Sequence, residues 1–409
     1  MKEIAVVGPG LMGLGIAQVA AAAGWKVWLV GRDAAAAAAG HARLASHLER
    51  QVARGRLDRT GADALLAQVG AVADDTELAG CELAIECVPE DRALKLGVLS
   101  RLQDALPAGT LIATNTSGLP VTGLAATLRR PDRFVGLHFF SPVERMKLVE
   151  VVRGAATGEA TLREALAFVE GLGQTAIVVR DGPGFFTSRV FAAYLDEALA
   201  MVAEGVAPAS IEQAALSFGR AVGPLAVLDD VSLALNLQQI RQARADGLPS
   251  DRCRPLAAPV LEAMLAHGRG GRRQGGGFLD VAADGTRMPW RGLSDLFPLA
   301  RAQPPLPRLA LRLRAIEVLE ALHCLEHGVI ETADDADTAS LLGLGFPRAD
   351  GGVLRWAETQ GLGRFVATCD ALARDAGPRF LPSPWLRERA ADGRGLRDRR
   401  AITKRNLPA

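Results

Sequence analysis

The sequence predicts an α/β fold of the Rossmann type over residues 1–182, with helical material after it. Two observations carry this. A strand, a glycine-punctuated turn and a helix open the chain. Short apolar runs then alternate with helical periods as far as Val179, the pattern of a sheet with helices packed on it.

The first apolar run, Ile4 to Val7, reads as a strand and leads into Gly8-Pro9-Gly10-Leu11-Met12-Gly13. Gly8 allows a tight turn, Gly10 lets the backbone approach a pyrophosphate, and Gly13 lets the helix sit close to the strand. The helix runs from about Leu11 to Ala23, with Gly24 placed to end it. Its first amides, at Leu11 and Met12, would face a dinucleotide diphosphate. A G-x-G-x-x-G alone is weak evidence. A preceding strand, a following helix and a second apolar run, Val27 to Val30, make it a dinucleotide cradle rather than a glycine-rich turn of another α/β domain.

The second strand ends at Gly31-Arg32-Asp33. An acid commonly stands there to take the ribose 2′-hydroxyl of NAD. Glycine would leave room for a 2′-phosphate, and a guanidinium can bind one through a charge-assisted fork. This favours NADP over NAD, the alternative being that Arg32 stacks on the adenine. Asp33 is placed to cap the following helix.

Residues 33–69 read as helical, with Leu44, Leu48, Val52 and Leu57 on one face. Leu83 to Val88 reads as a buried strand, Glu90 to Leu106 as a helix, and Leu111 to Thr114 as a strand running into the polar turn Asn115-Thr116-Ser117-Gly118. Phe134 to Phe140 is a strand carrying His138, and Leu148 to Val152 one with Glu150 at its middle. A helix over 159–172 and a strand from Thr175 to Val179 complete the sheet domain.

Composition bounds the rest. The 409 residues suit two or three domains, and 49% hydrophobic with 23% charged residues is the balance of a globular protein. A net charge of +1 gives no electrostatic case for nucleic acid or an acidic membrane. Cys81, Cys87, Cys253, Cys324 and Cys369 show no metal-like spacing, so they read as small buried hydrophobes and no metal is expected. No signal peptide or long apolar span is visible, and the expectation is a cytoplasmic protein.

Several motifs in order resemble the 3-hydroxyacyl-CoA dehydrogenase family: the opening glycines, Ile85-Glu86-Cys87-Val88-Pro89-Glu90, Asn115-Thr116-Ser117-Gly118-Leu119-Pro120, His138-Phe139-Phe140-Ser141-Pro142-Val143, Met146-Lys147-Leu148-Val149-Glu150 and Gly182-Pro183-Gly184-Phe185. Ala198 to Asp230 resembles the family's helical domain, and Ala315 to Ala390 a second copy. This is the pattern of the dehydrogenase half of multifunctional fatty-acid oxidation enzymes, without the hydratase half. The resemblance implies a Rossmann-type domain over 1–182 followed by all-α domains in two tandem repeats, 183–290 and 309–409, with a proline-rich linker over 291–308.

It also implies roles. His138 would be the general base for a 3-hydroxyl, and Glu150 would hold its other ring nitrogen, as in the base-and-orienter part of a catalytic triad. A lone strand histidine is more often a core residue, but a glutamate inside an apolar strand demands a partner. Ser117 would bond the substrate oxygen beside the nicotinamide, the alternative being a helix N-cap. Glu90 and Lys95 would touch the cofactor's ribose, the alternative being an exposed helical pair. Arg273 stands where the family usually has a lysine near the cofactor, in a basic run closed by the flexible Gly275-Gly276-Gly277. Ser141, expected near cofactor and substrate, and Ser188, expected near substrate, replace the family's common asparagine and reach less far.

The implied partner is an acyl-CoA, held near Ser117 and His138 by closure of the helical part, in a monomer or homodimer coupled to a separate enoyl-CoA hydratase or thiolase. The rivals are an NADPH-dependent biosynthetic 3-oxoacyl-CoA reductase, a dehydrogenase of a 3-hydroxy acid without CoA, and a scaffold subunit that has lost turnover.

Overall fold

The computed structural model describes residues 2–248 and 254–398, so Cys253 and residues 399–409 lie outside the described part. The chain forms two compact units that meet in sequence between Phe185 and Phe186, with Val329–Glu331 returning to the first.

The first unit is built on eight strands: β1 (Glu3–Val7), β2 (Lys26–Val30), β3 (Val69–Val72), β4 (Leu83–Glu86), β5 (Leu111–Thr114), β6 (Phe134–Phe139), β7 (Leu148–Arg153) and β8 (Thr175–Arg180). Their spatial order is β3-β2-β1-β4-β5-β6-β7-β8. All neighbours are parallel except β6 and β7, which run antiparallel. Both faces carry helices, so β1, β4, β5 and β6 are almost wholly apolar and buried, as central parallel strands must be. At the β8 edge, Ile330 pairs with Val179 and Arg180 N–H donates to Val329 O at 2.8 Å, which covers ladder groups that would otherwise be open.

Three local readings differ from the sequence expectation. The helical stretch 33–69 is two helices, Ala34–Ala53 and Arg59–Ala67, broken at Gly55 in a left-handed conformation (φ +66°) and restarted by Asp58, whose carboxylate accepts from Gly61 N–H at 2.6 Å. Strand β3 follows directly; its Val-Gly-Ala-Val run is too short and too weak in β-formers to stand out. The helix after β4 starts at Arg92, because Asp91 caps it by accepting from Leu94 N–H at 2.8 Å, so Glu90 precedes the helix.

The second unit is helical. Its first half has helices Thr187–Ala203, Pro208–Ser217 and Pro224–Val231. Glu212 accepts from Leu225 N–H at 2.8 Å, and Gly223 lies so close that an added Cβ would fall 2.3 Å from that carboxylate. The second half repeats the construction with Leu306–Glu326, Ala333–Gly343 and Val353–Gln360. There Asp337 accepts from Leu354 and Arg355 N–H at 2.7 and 3.0 Å, with Gly352 pressed beneath it. In both halves a carboxylate from the second helix satisfies orphan amides at the start of the third.

Between the halves come a hairpin, β9 (Leu279–Val281) with β10 (Arg287–Pro289), and then, within the 291–308 stretch expected as a linker, the short helix Leu293–Leu296, of which Leu293 is buried. The Gly275-Gly276-Gly277 run is also packed rather than free. Gly276 pairs with Gly271, and a Cβ on Gly277 would overlap the Asp229 carboxylate, which accepts from Phe278 and Leu279 N–H at 2.8 and 2.9 Å. Among the described residues no helix is long and apolar enough to cross a membrane.

Burial pushes the Glu212 carboxyl up to about 7 and that of Asp229 up to about 6, against backbone hydrogen bonds that pull both down. An acid with a raised folded pKa holds its proton more tightly when folded. Its stabilisation is therefore full below the ordinary carboxylate range and is lost as pH rises through the folded value. Urea midpoints of the whole chain should fall between pH 4.5 and about 7. Glu212→Gln, which keeps an acceptor for Leu225, should flatten that slope by on the order of 1–3 kcal/mol.

Candidate functional site

Strand order reverses around β1, so the crevice between the carboxyl ends of β1 and β4 is the switch point where open α/β sheets take ligands. The glycines fit a dinucleotide there for three different reasons. Gly8 has φ +107°, and a Cβ on it would stand 2.8 Å from Cys87 O. A Cβ on Gly13 would stand 2.0 Å from Gly8 O, so these two glycines are required by the packing of turn, strand and helix. At Gly10, by contrast, a Cβ would meet nothing within 4 Å. That open side is where a diphosphate could approach the N-terminus of helix Leu11–Ala22, which carries no side-chain cap. Leu11 is exposed on this turn, and Met12 is partly buried against the core.

Gly31 has a different reason from the one expected. A Cβ there would stand 2.4 Å from Ala37 N, so the start of helix Ala34–Ala53 demands glycine whichever ribose is bound. Arg32 is free of that packing: its side chain is 89% exposed, with Nε 3.3 Å from Asp33 Oδ2. Asp33 caps the helix through Ala36 N–H at 2.7 Å.

Behind the crevice lies a buried polar chain. The Glu86 carboxylate, at the end of β4, accepts from Lys95 Nζ (2.8 and 3.0 Å), Val88 N–H (2.6 Å) and Thr114 Oγ1 (2.7 Å). Lys95 is only 1% exposed and also lies 3.4 Å from Glu90 Oε2. It is not an exposed helical partner: the Glu86 carboxylate of β4, the Val88 carbonyl oxygen (3.2 Å) and the Glu90 carboxylate enclose its ammonium. Glu90 in turn holds the Ser117 turn. Its Oε1 accepts from Thr116 Oγ1 (2.6 Å), Ser117 N–H (3.0 Å), Ser117 Oγ (3.3 Å) and Gly118 N–H (3.1 Å). Thr116 Oγ1 also accepts from Leu119 N–H at 3.0 Å within the turn, and the helix that follows, Val121–Ala125, begins at Pro120 with no side-chain cap, so Ser117 is not its N-cap.

His138 and Glu150 are directly opposite in the antiparallel β6–β7 register, and His138 Nδ1 lies 2.6 Å from Glu150 Oε2. A carboxylate only accepts, so Nδ1 donates and Nε2 is left as the ring's basic atom. His138 is 7% exposed and Glu150 fully buried. Phe140 and Phe185 flank the imidazole with ring centroids 4.4 and 6.1 Å away. Asn115 Oδ1 accepts from Phe139 N–H at 2.9 Å and so ties the Ser117 loop to the His138 strand.

Ser141 is exposed just past β6. Ser188 lies in the first turn of helix Thr187–Ala203, and Arg273 is exposed on the turn closed by Gly271 and Gly276; both belong to the helical unit. Sequence reasoning gave no role to Glu86, Asn115 or Asp181, the last of which accepts from Val121 and Thr122 N–H at 2.9 and 2.7 Å. Glu86 could have been found as Glu150 was, as a carboxylate in an apolar run. Asn115 and Asp181 leave no such mark, because their partners are backbone amides distant in sequence.

A parallel-rich sheet with this crevice defines a nicotinamide dinucleotide-binding domain. The family model described as the 3-hydroxyacyl-CoA dehydrogenase NAD binding domain matches residues 3–182, and that of the C-terminal domain of the same family matches residues 184–281. The chain belongs to the 3-hydroxyacyl-CoA dehydrogenase family, oxidoreductases that act on a CH–OH group of acyl-CoA substrates. Among solved structures, the 3-hydroxybutyryl-CoA dehydrogenase of Escherichia coli K12 aligns over 95% of this chain and 98% of its own, with a TM-score of 0.81 and 27% identity. The (S)-3-hydroxybutyryl-CoA dehydrogenase of Ralstonia eutropha is 33% identical, covering 68% of this chain and 98% of its own with a TM-score of 0.64. The dehydrogenase part of a multifunctional enzyme from C. elegans shares the fold at 23% identity, over 95% of this chain and 89% of its own, with a TM-score of 0.67.

Two outcomes follow from the packing. Gly10→Ala should leave thermal stability within about 0.5 kcal/mol of the parent while weakening dinucleotide binding at least tenfold by fluorescence titration. Glu86→Gln takes from the buried Lys95 ammonium its nearer counter-charge, leaving only Glu90 at 3.4 Å, and should destabilise the first unit by about 3 kcal/mol in urea titrations.

Proposed function

We propose that the protein is an NAD(P)-dependent 3-hydroxyacyl-CoA dehydrogenase, interconverting (S)-3-hydroxyacyl-CoA plus NAD(P)+ with 3-oxoacyl-CoA, NAD(P)H and a proton. The observation that carries this is the 2.6 Å contact between His138 Nδ1 and buried Glu150, which leaves Nε2 as the basic atom. Gly8, Gly10, Leu11, Met12 and Gly13 would hold the dinucleotide, whose nicotinamide supplies the hydride acceptor in oxidation and the donor in reduction.

His138 Nε2 takes the proton of the substrate's 3-hydroxyl in oxidation and returns it in reduction. Glu150 fixes the tautomer and favours the imidazolium that forms, in the manner of a triad carboxylate. Ser117 Oγ turns its hydrogen from Glu90 Oε1 to the same substrate oxygen, while the Ser117 and Gly118 N–H groups keep the turn held on Glu90 with Lys95 behind it. Ser141 is proposed to lie beside cofactor and substrate, Ser188 to contact substrate and Arg273 to contact cofactor; for these three the support is the family resemblance alone. The helical unit is proposed to comprise two copies of one domain, supported by the paired clamps of Glu212 on Leu225 and Asp337 on Leu354. Two similar structures are named for 3-hydroxybutyryl-CoA, so a four-carbon acyl chain is the first substrate to try.

With Gly31 explained by packing, Arg32 alone supports a preference for NADP. An assay with acetoacetyl-CoA and each reduced nicotinamide tests both points. Turnover is expected, faster with NADPH, and Arg32→Ala should lower kcat/KM with NADPH selectively. His138→Ala should lower kcat about 10²–10⁴-fold. No turnover with CoA thioesters alongside turnover of free 3-oxo acids would favour the dehydrogenase without CoA, and activity independent of His138 would contradict the proposed base.

A further inference from the structure

We propose that the last turn of helix Leu306–Glu326 is a binding site for a divalent transition-metal ion, with His323, Glu326 and His327 as ligands. The three stand at i, i+3 and i+4, the spacing that puts side chains on one helical face. Their ligand atoms all lie within 4.8 Å of one another, and the two imidazole rings are 4.0 Å apart between centroids. Metal–nitrogen bonds of about 2.0–2.1 Å place ligand atoms roughly 3.3 Å apart, so side-chain rotations within one turn close the difference.

The tautomer is already set. His327 Nδ1 lies 2.9 Å from the carbonyl oxygen of His323, to which it must donate, so Nε2 carries the lone pair. Metal-bound histidines characteristically donate their other ring N–H to a carbonyl or carboxylate in this way. The helix ends here, with Gly328 in the left-handed conformation (φ +66°), and the negative end of its dipole favours a cation.

The surrounding charges also permit one. His323 and Glu326 line a cavity of about 140 Å³ that Glu320, Arg379 and Ser383 share. Arg379 is neutralised by Glu197 at 2.6 Å and Glu204 at 3.2 Å, and Glu320 is held by Arg189 at 2.8 Å. Glu326 supplies a carboxylate oxygen beside the two imidazoles. Two imidazoles and one carboxylate suit Zn2+, Ni2+ or Cu2+ rather than Mg2+ or Ca2+, and the cavity leaves room for water to complete the shell. None of the three residues belongs to the dehydrogenase machinery proposed above.

The test uses the untagged full chain, stripped with chelator, and Zn2+ titrated in competition with a chromophoric chelator. Co2+ absorption reports the ligand field. The expected result is one equivalent of Zn2+ bound, with His323→Ala/His327→Ala weakening the binding at least tenfold and Co2+ bands that change in the same variant. Acetoacetyl-CoA reduction and circular dichroism without metal should match the parent; if the double variant misfolds, His327→Gln replaces it with the same tenfold criterion. No Zn2+ uptake by the parent, or a loss smaller than tenfold in a folded variant, overturns the site.

Discussion

The hydrogen bond between His138 and Glu150 is the constraint on which the rest of the first unit depends. It exists because β7 reverses direction against β6 and sets residue 150 opposite residue 138. A shift of one residue in that register would turn both side chains to opposite faces. The apolar residues on either side, Leu137 and Phe139 on one strand and Val149 and Val151 on the other, are buried in the core, and their burial holds the register. Packing of hydrocarbon thereby fixes the orientation of an ionisable pair.

The same logic extends across the carboxyl ends of the sheet. Glu86, Lys95 and Glu90 form a chain of alternating charge from the interior of β4 to the Ser117 turn, and Asn115 links that turn to β6. Lys95 and Glu86 are expensive to bury singly and tolerable only together. Their closure on each other makes the Ser117 turn a fixed object rather than a mobile loop tip. Preorganised donors of this kind lower a barrier without reorganising at the moment of reaction.

Much of this was legible in the sequence, for identifiable reasons. Strands β1, β2, β4, β5, β6, β7 and β8 are apolar runs bounded by turn residues, and buried sheets leave that signature. The glycine motif and Glu150 stood out because each breaks its local pattern, whereas His138, a lone strand histidine, was singled out through the family resemblance. Strand β3 was not, since four small residues after a helix carry no period of their own. Gly31 was misread: its Cβ is excluded by Ala37, a contact made only once helix and strand are docked. The burial of Lys95 was not legible for a similar reason: the exposed helical pair weighed for it fails because the partner that buries it, Glu86, comes from the preceding strand. The packed Gly275-Gly276-Gly277 run owes its order to Asp229, far away in sequence.

The central claim concerns which nitrogen of His138 carries the proton. Nitrogen-15 imidazole spectra of the uniformly labelled chain, with the His138 signals assigned by their loss in His138→Ala, read this directly at a pH where the ring is neutral. The account predicts a protonated Nδ1 and a bare Nε2 in the parent, with that preference lost in Glu150→Gln. A parent ring protonated at Nε2, or a tautomer mixture indifferent to Glu150, would contradict it.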